Sequence, residues 1–209
     1  MKSKFDVIID FLVDNPDSLS GRRKNIDIYT PDGREILYEM FVGDREKHVG
    51  LVKPSTIPDE AVSMILKASH GYNDEELERI KVEHQYSMSA ENLVGYLLER
   101  YLAEKLEPHG WVWCSGDFVK AVDFIKKDEE GIWHALQIKN RDNTENSSSS
   151  AIRKGTPIKK WFRTFSKPSR KRDTNTNWDN FPETRFVELL SEDDFLDYIE
   201  NLVSSGSIQ

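Results

Sequence analysis

The chain has one cysteine, Cys114, so no internal disulfide can form, and the composition fits a reducing, cytoplasmic setting. Cys114 lies in the apolar run Trp111-Val112-Trp113-Cys114, where a small core residue is expected rather than a nucleophile. Long hydrophobic runs are missing too. Nothing approaches the roughly 20 apolar residues that a membrane-spanning helix needs, and no membrane partner is expected. The start, MKSKFDVIIDFLVDNPD, carries acids inside its apolar run, which suits an amphipathic helix and not a signal peptide. Five histidines, at 48, 70, 84, 109 and 134, show no ligand spacing, so no zinc site is indicated. No internal repeat is visible.

What is present is concentrated in two β-prone runs, AVDFI (121–125) and LQIKN (136–140), separated by the polar turn KKDEEG (126–131). Pairing them antiparallel brings their middles together. Gln137 and Lys139 then point to one face, because alternate strand residues do. With Asp123 on the facing strand, a carboxylate, an amide and an ammonium converge. Such a set suits a divalent metal, its water and a phosphate. Charged residues at alternate strand positions are usually a solvated face. These strands are otherwise apolar, however, and a buried acid and lysine need partners or a role.

Upstream, Leu93, Val94, Leu97, Leu98, Tyr101, Leu102 and Leu106 recur at helical spacing between Ser89 and Trp111, with Ser87 or Ser89 as the cap and Pro108-His109-Gly110 as the stop. Glu99 flanks this apolar stripe. Glu91 falls in the expected first turn, where a carboxylate favours the helix dipole.

A helix glutamate, then a strand aspartate, then Gln-x-Lys resembles the PD-(D/E)XK nuclease superfamily, matched here by Glu99, Asp123, Gln137 and Lys139. Gln137 stands where an acid is commoner, and Ala121-Val122 replaces the proline before the aspartate. The region from about 87 to 180, with VKAVDFI, KNRDN-x-ENSSSSAIR and KKWFR, is similar to type II restriction endonucleases of the SinI-like family. The resemblance implies an α/β fold with a restriction endonuclease-like core, a mixed β-sheet flanked by helices. It implies a magnesium-dependent homodimer that cuts double-stranded DNA at a short GC-rich palindrome of the G-G-(A/T)-C-C type, with a cognate DNA methyltransferase in the same system. Asp123, the backbone carbonyl of Ile138 and Glu99 would hold magnesium, Gln137 would position metal or water, and Lys139 would activate the water.

Charge distribution agrees with a nucleic-acid partner. Residues 139–172 carry eleven basic residues and two acids, a local +9 within a chain of −8, which leaves −17 for the rest. Acidic surface elsewhere would restrict the duplex to one docking face. Asn140, Arg141, Asp142, Asn143, Asn146 and Ser147, Ser148, Ser149 and Ser150 offer hydrogen-bonding groups directly after the Lys139 strand. Arginine reads guanine edges and asparagine adenine, while serines hold phosphates. Arg141 and Asn143 are expected near bases or phosphates, and Arg153, Lys154, Lys159 and Lys160 at phosphates.

The remaining elements are expected as a helix at 4–15, a hairpin at 25–42 around Pro31-Asp32-Gly33, helices at 58–71 and 73–85, a basic helical segment, a strand at 184–190, a helix at 191–203 capped by Ser191, and a frayed tail. Residues 1–86 would form a helical and hairpin arm serving as dimer contact or DNA clamp, and residues 87–209 the nuclease core with its recognition segment 139–172. Two other readings stay open: a repair or junction-resolving nuclease of the same superfamily, and a non-catalytic DNA-binding protein.

Overall fold

The computed structural model of the chain describes residues 3–52, 54–142 and 157–208. Its centre is a four-stranded sheet in the order β1 (Val112–Trp113), β2 (Phe124–Lys127), β3 (Trp133–Arg141), β4 (Ile158–Thr164). The β1–β2 and β2–β3 pairs are antiparallel and β3–β4 is parallel, so the sheet is mixed. The β2–β3 turn falls in the expected place but is shorter, residues 128–132, because Lys126 and Lys127 pair with His134 and Trp133 inside the sheet. Asp128 bonds Ile132 N–H through Oδ1, and Gly131 takes the left-handed φ of +81° that a side chain would resist. A parallel neighbour cannot be reached by a tight turn, and accordingly β3 ends at Arg141 while β4 begins only at Ile158.

Helices cover both faces of the sheet, as a two-sided parallel pairing requires. On one face, the last turns of α4 (Asp74–Leu106) and α5 (Glu192–Ser204) bury Leu97, Leu98, Tyr101, Leu102 and Phe195 against Phe124, Leu136, Ile138 and Trp161. On the other, α1 (Lys4–Asp14) and α2 (Pro31–Glu46) bury Phe5, Ile8, Phe11, Leu12, Leu37 and Phe41 against Val112, Ile125 and Ala135. Each fully buried Leu, Ile or Phe contributes roughly 1.5–3 kcal/mol. The start of α1 is a capping box: Ser3 accepts from Asp6 N–H and Asp6 accepts from Ser3 N–H. Ser191 caps α5 as expected.

Several expectations fail, each for a physical reason. The hairpin at 25–42 is absent; Pro31-Asp32-Gly33 opens helix α2. Thr30 accepts from Gly33 N–H, Pro31 occupies the first turn where its missing N–H costs nothing, and Asp32 faces the positive end of the dipole. The helices expected at 73–85 and from 89 are one helix of 33 residues, about 50 Å long. Its cap is Asn73, in a capping box with Glu76, and Ser89 instead donates to the Val52 carbonyl. The 86/87 boundary therefore lies inside α4. KKWFR is not helical but forms β4, which carries Trp161, 2% exposed, into the core. Residues 184–190 are a 3-10 turn (Thr184–Leu189) rather than a strand. The tail is held: Ile208 N–H donates to Leu202 O, and Ile208 bridges to Val49. Among the described residues, α3 (Glu60–His70) and the first half of α4 contribute to neither core cluster. α3 buries no residue.

Candidate active site

Asp123 immediately precedes β2 and is fixed by its backbone from both sides. Its N–H donates to Leu136 O and its carbonyl accepts from Cys114 N–H, both at 2.8 Å. Since Phe124 pairs with Leu136, Asp123 falls opposite Gln137. Gln137 and Lys139 share the face of Ala135, while Leu136 and Ile138 point into the α4 side. The expected acid–amide–lysine set thus lies on one face of neighbouring strands. Asp123 Oδ2 also accepts from Ile138 N–H at 2.6 Å, which orients the carboxylate along β3.

The loop before Asp123 accounts for the missing proline. Ala121 has φ +57°, in the left-handed region. A residue before proline is driven to extended backbone, so this turn at 121 disfavours proline at 122. A non-glycine left-handed residue costs about 1–2 kcal/mol, and the strain sits two residues from the aspartate.

α4 brings Glu99 to the same site from the opposite layer. Its Oε2 accepts from Trp113 Nε1–H at 3.0 Å. Burial pushes the Glu99 carboxyl up to about 8, and the Asp123 charge adds to the rise, against the Trp113 bond. Asp123 is pushed up to about 6 by burial, opposed by the Ile138 N–H and the Lys139 ammonium. Two neighbouring carboxyls raised chiefly by burial are characteristic of functional sites. Gln137 is 3% exposed, and among the described residues its buried Oε1 has no hydrogen-bond partner. A buried acceptor left unmatched costs about 1–3 kcal/mol. An oxygen-seeking cation would answer both deficits: hard oxygen donors are what magnesium and calcium take. Among the described residues no group of three acidic, histidine or cysteine side chains forms a metal cluster. A cation here would be held by Glu99, Asp123, Gln137 Oε1 and a backbone carbonyl such as that of Ile138.

The expected DNA-contacting residues divide. Asn140 is occupied structurally: Oδ1 accepts from Arg163 Nε and its carbonyl from Thr164 Oγ1. Arg163 in turn pairs with Glu192 and covers the Phe195 ring at 4.9 Å, so this basic residue ties β4 to α5. Asp142 Oδ1 accepts from Ser166 N–H, and hydrogen bonds to Ser166 hold the carboxyl below its usual range. Arg141 is exposed, 3.9 Å from Glu91. Glu91 therefore sits beside Arg141, two turns of helix from Glu99. Lys159 is exposed on the Leu136 face, whereas Lys160 is half-buried at the register of Gln137. Asn143, Asn146, Ser147 to Ser150, Arg153 and Lys154 lie outside the described residues.

Three supporting residues gave no sequence signal. Arg45 of α2 donates to Ser115 Oγ, the Trp113 carbonyl and Glu107, and stacks on Phe41 at 4.3 Å. Burial alone would raise Glu107, yet Arg45 and Lys4 hold its carboxyl below the usual range. Asp44 accepts from Gly116 N–H and adds to the rise of Glu99. Asp44 and Arg45 lie far from the motif in sequence, and Glu107 lies within its span but outside its pattern, so spacing could not reveal them. Cys114 is buried, and burial followed by the Asp123 charge pushes its thiol well up, as an inert core residue requires.

A mixed sheet with helices on both faces, carrying an aspartate and a Gln-x-Lys strand beside a helix glutamate, is compatible with a restriction endonuclease fold. The SinI restriction endonuclease family model matches residues 1–205, and the chain belongs to that family. Two relatives align over nearly all of it. The type II restriction enzyme Eco47I of Escherichia coli is 51% identical over 207 residues, covering 96% of this chain and 86% of that protein. The type II restriction enzyme SinI of Salmonella infantis is 52% identical over 205 residues, with the same coverage of each. Among the described residues no helix is long and apolar enough to cross a membrane.

Proposed function

We propose that this restriction endonuclease hydrolyses double-stranded DNA at a short GC-rich palindrome of the G-G-(A/T)-C-C type, using magnesium, from a site built of Asp123, Gln137, Lys139 and Glu99. The reading rests on one observation: Asp123 opposes Gln137 on the strand that carries Lys139, the carboxyls of Asp123 and Glu99 are both raised, and the buried Gln137 amide oxygen is unmatched among the described residues. When bound, a magnesium ion would supply Lewis acidity and a water of lowered pKa. Asp123 and Glu99 offer it anionic oxygens, and Gln137 offers a neutral one. The Ile138 N–H holds Asp123 in place through the reaction. Lys139, half-buried on the same face, orients the attacking water and donates to the phosphoryl oxygen where negative charge grows. The water oxygen bonds to phosphorus and gives up a proton, the phosphorus–sugar oxygen bond breaks, and the leaving oxygen takes up a proton, so one strand end carries the phosphate and the other a hydroxyl.

A palindrome is most simply read by a twofold homodimer. The arm offers apolar surface for that contact: Ile57, Val62, Met64 and Ile65 are exposed on and before α3. Its charge excludes DNA as the first choice, since Asp59, Glu60, Asp74, Glu75, Glu76 and Glu78 crowd the same region. Cytoplasmic residence beside a methyltransferase that protects the host site completes the reading.

The test is plasmid DNA with magnesium, followed by sequencing of the ends. Discrete fragments with one repeated end sequence support the proposal. Cutting confined to branched or damaged DNA would replace it with a repair or junction-resolving activity. Asp123→Ala and Lys139→Ala should bind duplex in calcium but not cut; near-normal cleavage by either would remove the site assignment.

A further inference from the structure

The parallel pairing of β3 with β4 does something the linear motif does not describe. It sets Lys160 at the register of Gln137 and Phe162 at that of Lys139. Paired residues on neighbouring strands, about 4.8 Å apart, point to the same face. Asp123, Gln137 and Lys160 therefore form a row across three strands, with Lys139 one step along. The core confirms the parity. Ile158, two residues before Lys160, packs with the α1–α2 cluster that also contains Ala135, whereas Trp161 packs with the α4 cluster. Lys159 and Lys160 are adjacent in sequence yet face opposite layers, one exposed and one half-buried.

We infer that Lys160 is a catalytic residue of this site, its ammonium contacting the phosphodiester at the scissile position opposite Lys139. The inference rests on the proposed hydrolysis and deepens it. Two ammonium groups on diagonal positions of one face can share one anion, and a phosphodiester is the anion this site would receive. The identity of residue 137 follows from the same layout. A glutamate at 137 would stand beside Lys160 across the strands and beside Lys139 along the strand. It would compete with the substrate for both ammonium groups. A glutamine there keeps an oxygen donor at the position without adding that competing charge. The exchange of acid for amide and the lysine on β4 are thus parts of one arrangement. The phosphate charge that grows on the way to the transition state meets two cations rather than one.

The test separates binding from cleavage. Wild type, Lys160→Met, Lys160→Arg and Lys159→Met are compared with a cognate duplex. Dissociation constants are measured in calcium, and single-turnover cleavage in magnesium with enzyme in excess. Lys160→Met should cut at least about 100-fold more slowly, the scale of losing one donor to a developing charge. Its dissociation constant should rise less than about tenfold, as for one phosphate contact among several. Lys160→Arg keeps the charge and should recover most of the rate. Lys159→Met should show the reverse balance, its effect falling on the dissociation constant. Should Lys160→Met fail to fold, judged by its melting curve, Lys160→Gln is read in its place. A Lys160→Met rate within a few-fold of wild type would overturn the inference, as would a rate deficit erased by raising enzyme concentration. Asp123→Ala serves as the separate check. If that variant cuts normally, the proposed site itself fails; if it is inactive while Lys160→Met is normal, only the role of Lys160 fails.

Discussion

Replacing Glu99 by glutamine should stabilise the metal-free protein and destroy its activity, and the size of the gain follows from the site. The carboxyl is pushed up to about 8 by burial and then by Asp123, from an ordinary value of 4.5. The native state thus holds this proton more tightly than the unfolded chain. Stability is complete below the unfolded value and is lost as pH climbs from about 4.5 towards 8, the reverse of the usual carboxylate. A shift of this size converts to about 5 kcal/mol at 1.36 kcal/mol per unit, and roughly half of that is expected for a half-buried side chain. Glutamine carries no charge at any pH and can still accept from Trp113 Nε1–H. Glu99→Gln should therefore gain on the order of 2 kcal/mol at pH 8 and almost nothing at pH 5, which is about 4–8 °C in melting temperature at the higher pH. The assay is thermal or urea unfolding in a chelator from pH 5 to 8.5, read as the difference between variant and wild type. That difference cancels the titrating groups that do not interact with Glu99. A variant that is equally or less stable than wild type at pH 8, or whose difference is constant with pH, would refute the reasoning about the buried pair.

Other consequences are local. Ala121→Gly should raise stability by about 1 kcal/mol, since glycine adopts φ +57° without the cost that alanine bears; an unchanged or lowered melting temperature would contradict the strain assigned there. Arg45→Ala should cost about 1.5–3 kcal/mol, because it strips a half-buried cation from Glu107, Ser115 and the Trp113 carbonyl together, and a loss below 1 kcal/mol by denaturant titration would show the cluster to be replaceable. Arg141→Ala should cost about 1–3 kcal/mol of binding to the cognate duplex and little to a scrambled one, if the side chain reads a guanine edge. Equal weakening of both would make it a phosphate contact instead.

The sequence by itself determined the chemistry of the β2–β3 pair. Period-2 alternation is a local property, and a short polar turn leaves the two strands little choice of register. That alternation alone therefore puts Asp123, Gln137 and Lys139 on one face. The apolar stripe of α4, the Ser191 cap and the segregation of positive charge into 139–172 were legible for the same reason. Tertiary structure decided what local patterns leave degenerate. Pro31-Asp32-Gly33 satisfies both a turn and a helix start; the burial of Leu37 and Phe41 against the sheet selects the helix. KKWFR has no clear period over five residues, and only the open edge of β3 and the pocket for Trp161 make it a strand. The seam at residues 86–89 looks like a helix start, yet an uninterrupted ladder from Asn73 outcompetes a serine cap. Above all, the neighbours of the aspartate are non-local. Glu99 approaches from another layer, Arg45 steadies the β1 end from α2, and a parallel strand brings Lys160 to Gln137. A motif records which groups a site needs. Strand order and helix packing set which of them meet, because contacts between residues distant in sequence form only when the whole core closes around them.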